Sequence, residues 1–207
     1  MTNIIVLIPH YNNYKELLAS IDSINETINV DVLIVDDGSK KSIPILSEIE
    51  QLYKNGKVFL EILPQNQGIE YALNKGLELI QNMSYDYIGR LDCGDFCAQN
   101  RFGQQLEYLE THQDIYLLGT WVNIINTNKE HMYVLKHPET YRGIKNKMYL
   151  NSMFVHPSVV FRTSILDSIG YYPTDYKAAE DYAFFFNVIK KFKAENLPKP
   201  LLDYVID

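Results

Sequence analysis

The sequence predicts an α/β fold with a mostly parallel sheet. Two stretches, Asn3–Ile8 with its run IIVLI and Val30–Val35, are apolar with little alternation, as in strands covered on both faces. Between them, apolar residues from Glu16 onward recur at helical spacing. This strand-helix-strand order is a β-α-β unit, whose crossover should be right-handed.

The same alternation continues along the chain. The first helix should bury Leu17, Leu18, Ile21, Ile24 and Ile28. The later predicted helices are Ser47–Tyr53, a helix after the turn Asn66–Gly68 with Ala72, Leu73, Leu77 and Ile80 on one face, Arg101–His112, a turn at Ser164–Ile169 closed by Gly170, and Ala178–Phe192. The later predicted strands are Val58–Leu63, a strand with Tyr87, Ile88 and Leu91, Ile115–Ile125, Ser158–Phe161 and Leu201–Ile206.

One long stretch, Asn126–Met153, is polar and weakly patterned, which predicts either a lid or acceptor loop or a variable surface loop. The sequence contains no repeat or linker, so residues 1–207 are predicted to form a single domain. A strand that stops at Asp207 without a following turn is unusual for such a domain. We therefore expect the natural chain to continue, so that this domain is truncated at its C-terminus.

Composition excludes several classes of protein. The formal net charge is −7 without a Lys/Arg cluster, which argues against a nucleic-acid surface. The only cysteines, Cys93 and Cys97, are interpreted as reduced thiols of an intracellular protein. Neither a signal peptide nor a transmembrane segment is predicted. We expect a cytoplasmic protein, with peripheral association at the inner face of a membrane left open.

Three polar clusters follow predicted strands: Pro9–Asn13, Asp36–Ser39 and Asp92–Asp95. In parallel sheets, ligands bind outside the carboxyl ends of the strands. Each cluster has a plainer interpretation, such as an Asx turn at Asp-Gly-Ser or a solvated turn that caps the next helix. Two carboxylates about 4 Å apart, such as Asp92 and Asp95 could be, would repel by roughly 4 kcal/mol at an effective dielectric near 20. Such a cluster needs a cation, a hydrogen-bond donor or a shared proton. Because the clusters coincide at one edge, a ligand site is favoured.

The clusters also indicate what the ligand is. Tyr11 offers a stacking face, and Asp37 can accept from a base N–H or a ribose hydroxyl. The sequence contains neither G-x-G-x-x-G nor a P-loop, so a pyrophosphate would need a hard cation held by carboxylates, Mg²⁺ or Mn²⁺.

The last predicted helix begins with two adjacent acids. Asp181 shares a helical face with Phe185, Val188 and Phe192, whereas Glu180 aligns with Phe184. Asp181 is therefore predicted to face inward, either as a helix-capping residue or as a general base for an acceptor hydroxyl.

Together these residues resemble a family 2 glycosyltransferase of the GT-A fold. The resemblance covers essentially the whole chain in the right order. Its motifs are IPHYNN, VDDGS, the NQGIEYALNKG segment from Asn66, the Asp92–Asp95 loop, HPSVVFR from His156, and Glu180-Asp181-Tyr182. The fold it implies is a three-layer sandwich around a mostly parallel sheet.

The resemblance implies a metal-dependent, hexosyltransferase-like enzyme. It would transfer a sugar, with inversion, from a nucleotide diphosphate donor such as a UDP-sugar to a hydroxyl of a saccharide or lipid-linked acceptor. Bacterial surface-polysaccharide assembly is the usual setting.

The resemblance also implies roles for individual residues. It assigns nucleotide binding to Pro9, Tyr11, Asp37 and Asp92, and the binding of Mg²⁺ or Mn²⁺ to Asp92 and Asp95. It places His156 and Glu180 in the donor and acceptor cleft, and it assigns proton abstraction to Asp181.

One departure stands out: the family's usual second acid is replaced by Gly94, with Asp95 one residue later. A weakly active or inactive nucleotide-sugar-binding relative is therefore the alternative. A sugar nucleotidyltransferase would carry a Gly-rich, Arg-containing loop after the first strand, which Pro9–Asn13 lacks. A receiver-type signalling domain would carry its acidic pair after the first strand in a chain of about half this length.

Overall fold

The computed structural model describes residues 3–175 and 179–206. Within these ranges nine strands form one sheet, in the order β3-β2-β1-β4-β8-β6-β9-β5 with β7 beside β6. The strands are β1 (Ile4–His10), β2 (Asp31–Asp36), β3 (Val58–Ile62), β4 (Tyr87–Arg90), β5 (Phe96–Cys97), β6 (Ile115–Asn126), β7 (His131–Leu135), β8 (Val160–Arg162) and β9 (Lys193–Ile206).

Helices cover both faces of the sheet. They are α1 (Tyr14–Asp22), α2 (Leu46–Leu52), α3 (Ile69–Gln81), α4 (Arg101–Thr111), α5 (Tyr141–Lys147), α6 (Leu166–Ile169) and α7 (Glu180–Lys191), with 3₁₀ turns at His156–Ser158 and Thr163–Ile165. No helix in the described ranges is long and apolar enough to span a bilayer.

The predicted mostly parallel sheet is confirmed. β1 pairs in parallel with β2 and β4, and β2 with β3. β8 runs antiparallel to both β4 and β6, so β6 returns to the direction of β4, and β9 runs parallel to β6. Among the described strands only β5, β7 and β8 run in the opposite direction.

The alternating side chains of β1 explain the three layers. Ile4, Val6 and Ile8 pack in one core with residues of α1, α2 and α4. Ile5 and Leu7 pack in a second core with residues of α3 and α7. Every residue of β1 and β2 is buried, which is the physical reason for their unbroken apolar sequence.

Most predicted elements agree within a few residues, but α1 ends earlier than its apolar pattern. Ile24 and Ile28 lie beyond its last residue, Asp22, although Ile24 still packs in the first core. For the last helix, residue 178 lies outside the described ranges, and α7 begins at Glu180.

The prediction of a loop across Asn126–Met153 is wrong. Residues of this stretch form β7, which pairs with β6, and α5, which buries Ile144 and is followed by the buried Met148. Ile144 and Met148, four residues apart, pack α5 against the core. Because the residues around them are polar, the apolar pattern was too short to predict a helix.

The final strand is also longer than predicted, because β9 begins at Lys193 rather than Leu201. Prolines 198 and 200 argue against a strand by sequence, since proline cannot donate to the ladder. The structure accommodates them at breaks in register with β6 on either side of Trp121.

The buried side chain of Arg101 connects the sheet to the 3₁₀ turn before β8. Arg101, at the start of α4, donates from Nη2 to the carbonyls of Arg90 (2.9 Å) and Pro157 (2.7 Å). Its Nε donates to Gln105 Oε1, and its Nη1 contacts the Cys97 thiol. The guanidinium thus holds the end of β4, the 3₁₀ turn and α4 in one arrangement.

We predict that Arg101→Met lowers the free energy of unfolding by about 3 kcal/mol, because two buried carbonyls lose their donor. The exposed Arg142→Met should stay within about 0.5 kcal/mol of the parent. Urea unfolding at equilibrium measures both variants. Equal stabilities would show that the Arg101 contacts contribute little.

Candidate functional site

A cavity of about 400 Å³ opens at the carboxyl ends of β1, β2 and β4. Its lining brings together all four predicted nucleotide-binding residues, Pro9, Tyr11, Asp37 and Asp92. The rest of the lining is His10, Asn66, Gly68, Ile69, Ala72 and Cys93. The three polar clusters found in the sequence therefore meet at one site.

A buried His10–Asp36 pair holds the carboxyl ends of β1 and β2 together. His10 Nδ1 lies 2.7 Å from Asp36 Oδ1, and His10 Nε2 accepts from the Asn13 N–H (3.0 Å). Because Nε2 is an acceptor, Nδ1 carries the proton and donates to Asp36. The neighbouring Tyr11 keeps 47% of its surface exposed and is free to stack against a ligand.

Sequence analysis did not single out His10 and Asp36 as a pair. They are register partners on adjacent parallel strands. The available signal was a histidine and an aspartate that each lie just after a predicted strand.

The two adjacent aspartates at the end of β2, Asp36 and Asp37, have different tasks. Asp36 closes the loop after β2, since its Oδ2 accepts from the Ser39 N–H (2.9 Å), three residues on rather than the two of an Asx turn. Gly38, which lies between Asp37 and Ser39, has φ +68, and a Cβ there would collide with the backbone of Gln65. Only glycine therefore lets this loop lie against the turn that leads to α3.

Asp37 holds that turn through three hydrogen bonds. Oδ1 accepts from Gln67 N (2.9 Å), and Oδ2 accepts from Asn66 Nδ2 and Gly68 N (both 2.8 Å). A carboxylate has about four acceptor positions, so one remains for a ligand. The carboxylate is consequently fixed in place before any ligand arrives.

Asp92 is held by the second buried arginine. Arg90 donates from Nη2 to Asp92 Oδ1 (2.5 Å) and from Nη1 to the Leu7 carbonyl in β1 (2.6 Å). Of the two carboxylate oxygens of Asp92, only Oδ1 accepts a hydrogen bond within the described residues. Oδ2 therefore remains available to a ligand or cation at the cavity.

His156 lies beside this arginine rather than in the cavity lining. Its Nε2 accepts from Arg90 Nε (3.3 Å) and lies 2.9 Å from the Tyr172 hydroxyl. Burial and the Arg90 charge lower the pKa of His156 to about 3, so the imidazole is neutral. Its contacts orient Arg90, and its predicted part in the donor and acceptor cleft stays a prediction.

Asp95 points toward β9. Its Oδ1 accepts from the Val205 N–H (2.9 Å), and its Oδ2 is buried without a hydrogen-bond partner among the described residues. Burial, followed by the charge of Asp92, raises the pKa of Asp95 to about 8. The preceding Gly94 has φ +108, a backbone conformation that disfavours an aspartate at that position.

These carboxylates fit an open cation site better than a closed one. In the described part of the chain, no three His, Cys, Asp or Glu side chains converge on a metal position. Asp92 and Asp95 each have one carboxylate oxygen without a described partner. Mg²⁺ is commonly held by one or two carboxylates with phosphates and waters, so the donor set fits Mg²⁺ or Mn²⁺ beside a diphosphate.

The two acids of α7 lie in the field of Asp92. Burial raises the pKa of both Glu180 and Asp181, and the Asp92 charge raises both further. Glu180 is buried and Asp181 is partly buried. The prediction that Asp181 alone faces inward is therefore wrong, because α7 buries Phe184, which shares the face of Glu180, as well as Phe185.

A larger cavity, of about 880 Å³, lies at the opposite end of the strands beside α4. Its buried carboxylate, Asp31, already accepts from the Tyr85 hydroxyl (2.6 Å) and the Lys57 N–H (2.7 Å). We place the functional site in the smaller cavity, where carboxylate oxygens remain available.

Comparison with known proteins gives a consistent result. The family model described as Glycosyl transferase family 2 matches residues 5–170. Bifunctional glycosyltransferase pgtA of Dictyostelium discoideum is 27% identical over 93% of the chain, which spans 30% of that protein. An Escherichia coli UDP-Gal:alpha-D-GlcNAc-diphosphoundecaprenol beta-1,3-galactosyltransferase is 26% identical over 84% of the chain and 62% of its own length.

Solved structures show the same fold. S. aureus TarS 1-349 in complex with UDP-GlcNAc superposes with a TM-score of 0.77 at 20% identity. The match covers 100% of this chain and 59% of the TarS chain, so this chain spans less than two thirds of that structure.

We predict that Asp95→Asn stabilises the metal-free protein above neutral pH. The folded state binds the Asp95 proton more tightly than the unfolded state, so parental stability falls as pH rises from about 4 toward 8. The asparagine variant escapes this loss and should melt a few degrees higher at pH 8.5, with a smaller difference at pH 5.

Thermal melts in EDTA measure this difference. Asp22→Asn, which replaces an exposed carboxylate, is the control and should leave the melting temperature nearly unchanged. A pH-independent gain for Asp95→Asn would contradict the assigned cause.

Proposed function

The chain belongs to glycosyl transferase family 2, and we propose that it transfers a sugar from a nucleoside-diphosphate donor to a hydroxyl group of an acceptor. The observation that carries this proposal is the convergence of Pro9, Tyr11, Asp37 and Asp92 on one cavity. That cavity lies at the carboxyl ends of parallel strands, where α/β proteins bind nucleotides.

The donor we propose is a UDP-sugar, with a hexose as the transferred group. Tyr11 presents an exposed ring for stacking against the base, and the remaining acceptor position of Asp37 suits the uracil N–H. A cavity of about 400 Å³ is in the usual size range for small-ligand sites. Asp92 then lies near the ribose and diphosphate.

The diphosphate is the leaving group, and its charge must be stabilised in a strongly acidic site. A bound Mg²⁺ or Mn²⁺ would supply that stabilisation, with Asp92 and Asp95 as the protein ligands. Arg90 fixes Asp92 by a charge-assisted hydrogen bond and so orients it toward the donor.

The proposed transfer is a single displacement with inversion. The acceptor oxygen attacks the anomeric carbon, the bond from that carbon to the diphosphate oxygen breaks, and the acceptor proton passes to Asp181. A raised pKa makes the Asp181 carboxylate a stronger base than an exposed aspartate.

The acceptor we propose is a saccharide carried on a lipid diphosphate. The support is the Escherichia coli relative, whose name specifies a diphosphoundecaprenol-linked GlcNAc. The corresponding setting is polysaccharide assembly.

A second candidate function is nucleotide-sugar binding with little catalysis. It is favoured by the positive φ of Gly94 and by the hydrogen bond that holds Asp95 to β9. Both observations weaken the cation site that the leaving group needs. Turnover of a panel of UDP-sugars with saccharide and lipid-linked acceptors separates the enzyme from the binding protein.

We predict that UDP binds more tightly with Mn²⁺ than in EDTA, because the cation would offset repulsion between the diphosphate and the carboxylates. Tyr11→Ala should weaken binding about 3- to 10-fold through lost stacking. Tyr133→Ala, at an equally exposed position on β7, is the matched control. Titration calorimetry measures these affinities, and equal affinity in both buffers would remove the metal from the mechanism.

We predict that Asp181→Asn lowers kcat about 10²- to 10⁴-fold and leaves donor affinity nearly unchanged, since the proton is taken only in the transition state. Glu180→Gln, one residue away, is the matched control and should retain most activity. Steady-state kinetics with a UDP-sugar decides between them. If Glu180→Gln is the crippling change, the base is Glu180.

A further inference from the structure

Two large apolar side chains project from the molecule just after α5. Tyr149 is 69% exposed and Leu150 is 85% exposed, the highest values among large hydrophobic residues of the described ranges. Single exposed apolar residues are common on protein surfaces. These two are adjacent, and the ring of Tyr149 packs against a second aromatic ring, that of Phe186 in α7.

The backbone that carries them is firmly packed. Ile144 and Met148, which precede them, are fully buried. The Tyr182 hydroxyl donates to the Met148 carbonyl, and the Tyr149 and Phe186 rings meet edge to face with centroids 5.3 Å apart. Tyr149 and Leu150 therefore stand on a fixed support formed by α5 and α7.

The two helices that support this apolar tip carry exposed basic side chains. They are Arg142, Lys145 and Lys147 of α5 and Lys190 of α7. Lys190 lies over the Phe186 ring, 4.5 Å from its centroid, and Lys145 lies over the ring of Tyr141. Residues 131–152 contain four basic residues and one acidic residue, within a chain whose net charge is −7.

We propose that this α5–α7 surface, formed by Lys145, Tyr149, Leu150, Phe186 and Lys190, docks on an anionic lipid bilayer. Leu150 and Tyr149 enter the interface between head groups and acyl chains, where leucine and aromatic rings partition favourably. The lysines lie level with the lipid phosphates and keep their alkyl stems on the apolar surface.

Charge complementarity selects the bilayer over a second copy of the chain. Two copies meeting through this surface would bring their basic side chains together, which is unfavourable. An anionic bilayer supplies both a negative surface and an apolar interior.

The surface lies next to the candidate base. Tyr182, whose hydroxyl bonds to Met148, directly follows Asp181 at the start of α7. Docking would bring the start of α7 close to the bilayer, where a lipid-linked acceptor presents its saccharide. This last step rests on the proposed function, whereas docking itself does not.

The test is co-sedimentation with phosphatidylcholine vesicles, with and without phosphatidylglycerol. We expect binding to the anionic vesicles alone, and weaker binding as salt is raised. Lys145→Gln with Lys190→Gln should lower partitioning about 25-fold, from about fivefold for each charge. Tyr149→Ser with Leu150→Ser should lower it at least about tenfold.

The loop after β2 provides a matched control. It has two exposed lysines, Lys40 and Lys41, and two half-exposed isoleucines, Ile43 and Ile45. The corresponding fourfold substitution to Gln and Ser should leave vesicle binding unchanged.

Several outcomes would overturn the proposal. They are equal binding to neutral vesicles, no binding to either kind, loss of binding in the control variant, or a dimer in light scattering that the α5–α7 substitutions dissociate. Thermal melts confirm that each variant is folded. Asp181→Asn should still bind vesicles, so a failure of the proposed transfer reaction is distinguishable from a failure of docking.

Discussion

The site depends on one buried charge, the guanidinium of Arg90. A buried guanidinium must have its N–H groups satisfied, and here they bond to the Leu7 carbonyl, the Asp92 carboxylate and His156 Nε2. The Arg90 carbonyl is in turn held by Arg101. Asp92 can occupy only the position that this network allows, so the packing of two sheet strands determines where the acidic loop begins.

The positive charge of Arg90 lies near more carboxyl groups than it can neutralise. Burial is the largest cause that raises the pKa values of Asp95, Glu180 and Asp181, and the charge of Asp92 raises all three further. A site in this state gains by binding a cation or by holding protons. In the proposed reaction a bound cation would stabilise the diphosphate, and the proton affinity of Asp181 would be used at the acceptor hydroxyl.

The features of the fold that depend on local patterns can be predicted from the sequence. The buried strands β1 and β2 and the clusters at their ends follow from apolar runs and polar breaks. The direction of Asp95 could not be predicted, because it depends on an N–H from Val205, which lies 110 residues away. Nor could the network around Arg90, since an arginine that ends a strand gives no sign that histidine 156 will face it.

The two ends of α7 differ in charge in the sense that the helix dipole favours. Glu180 and Asp181 lie in its first turn, and Lys190 and Lys191 lie in its last turn. One helix therefore separates an acidic cleft, which attracts cations, from a basic and aromatic surface. An anionic bilayer would attract the basic surface, so the charge distribution that serves the proposed donor site would also place that surface on the bilayer, with the start of α7 beside it.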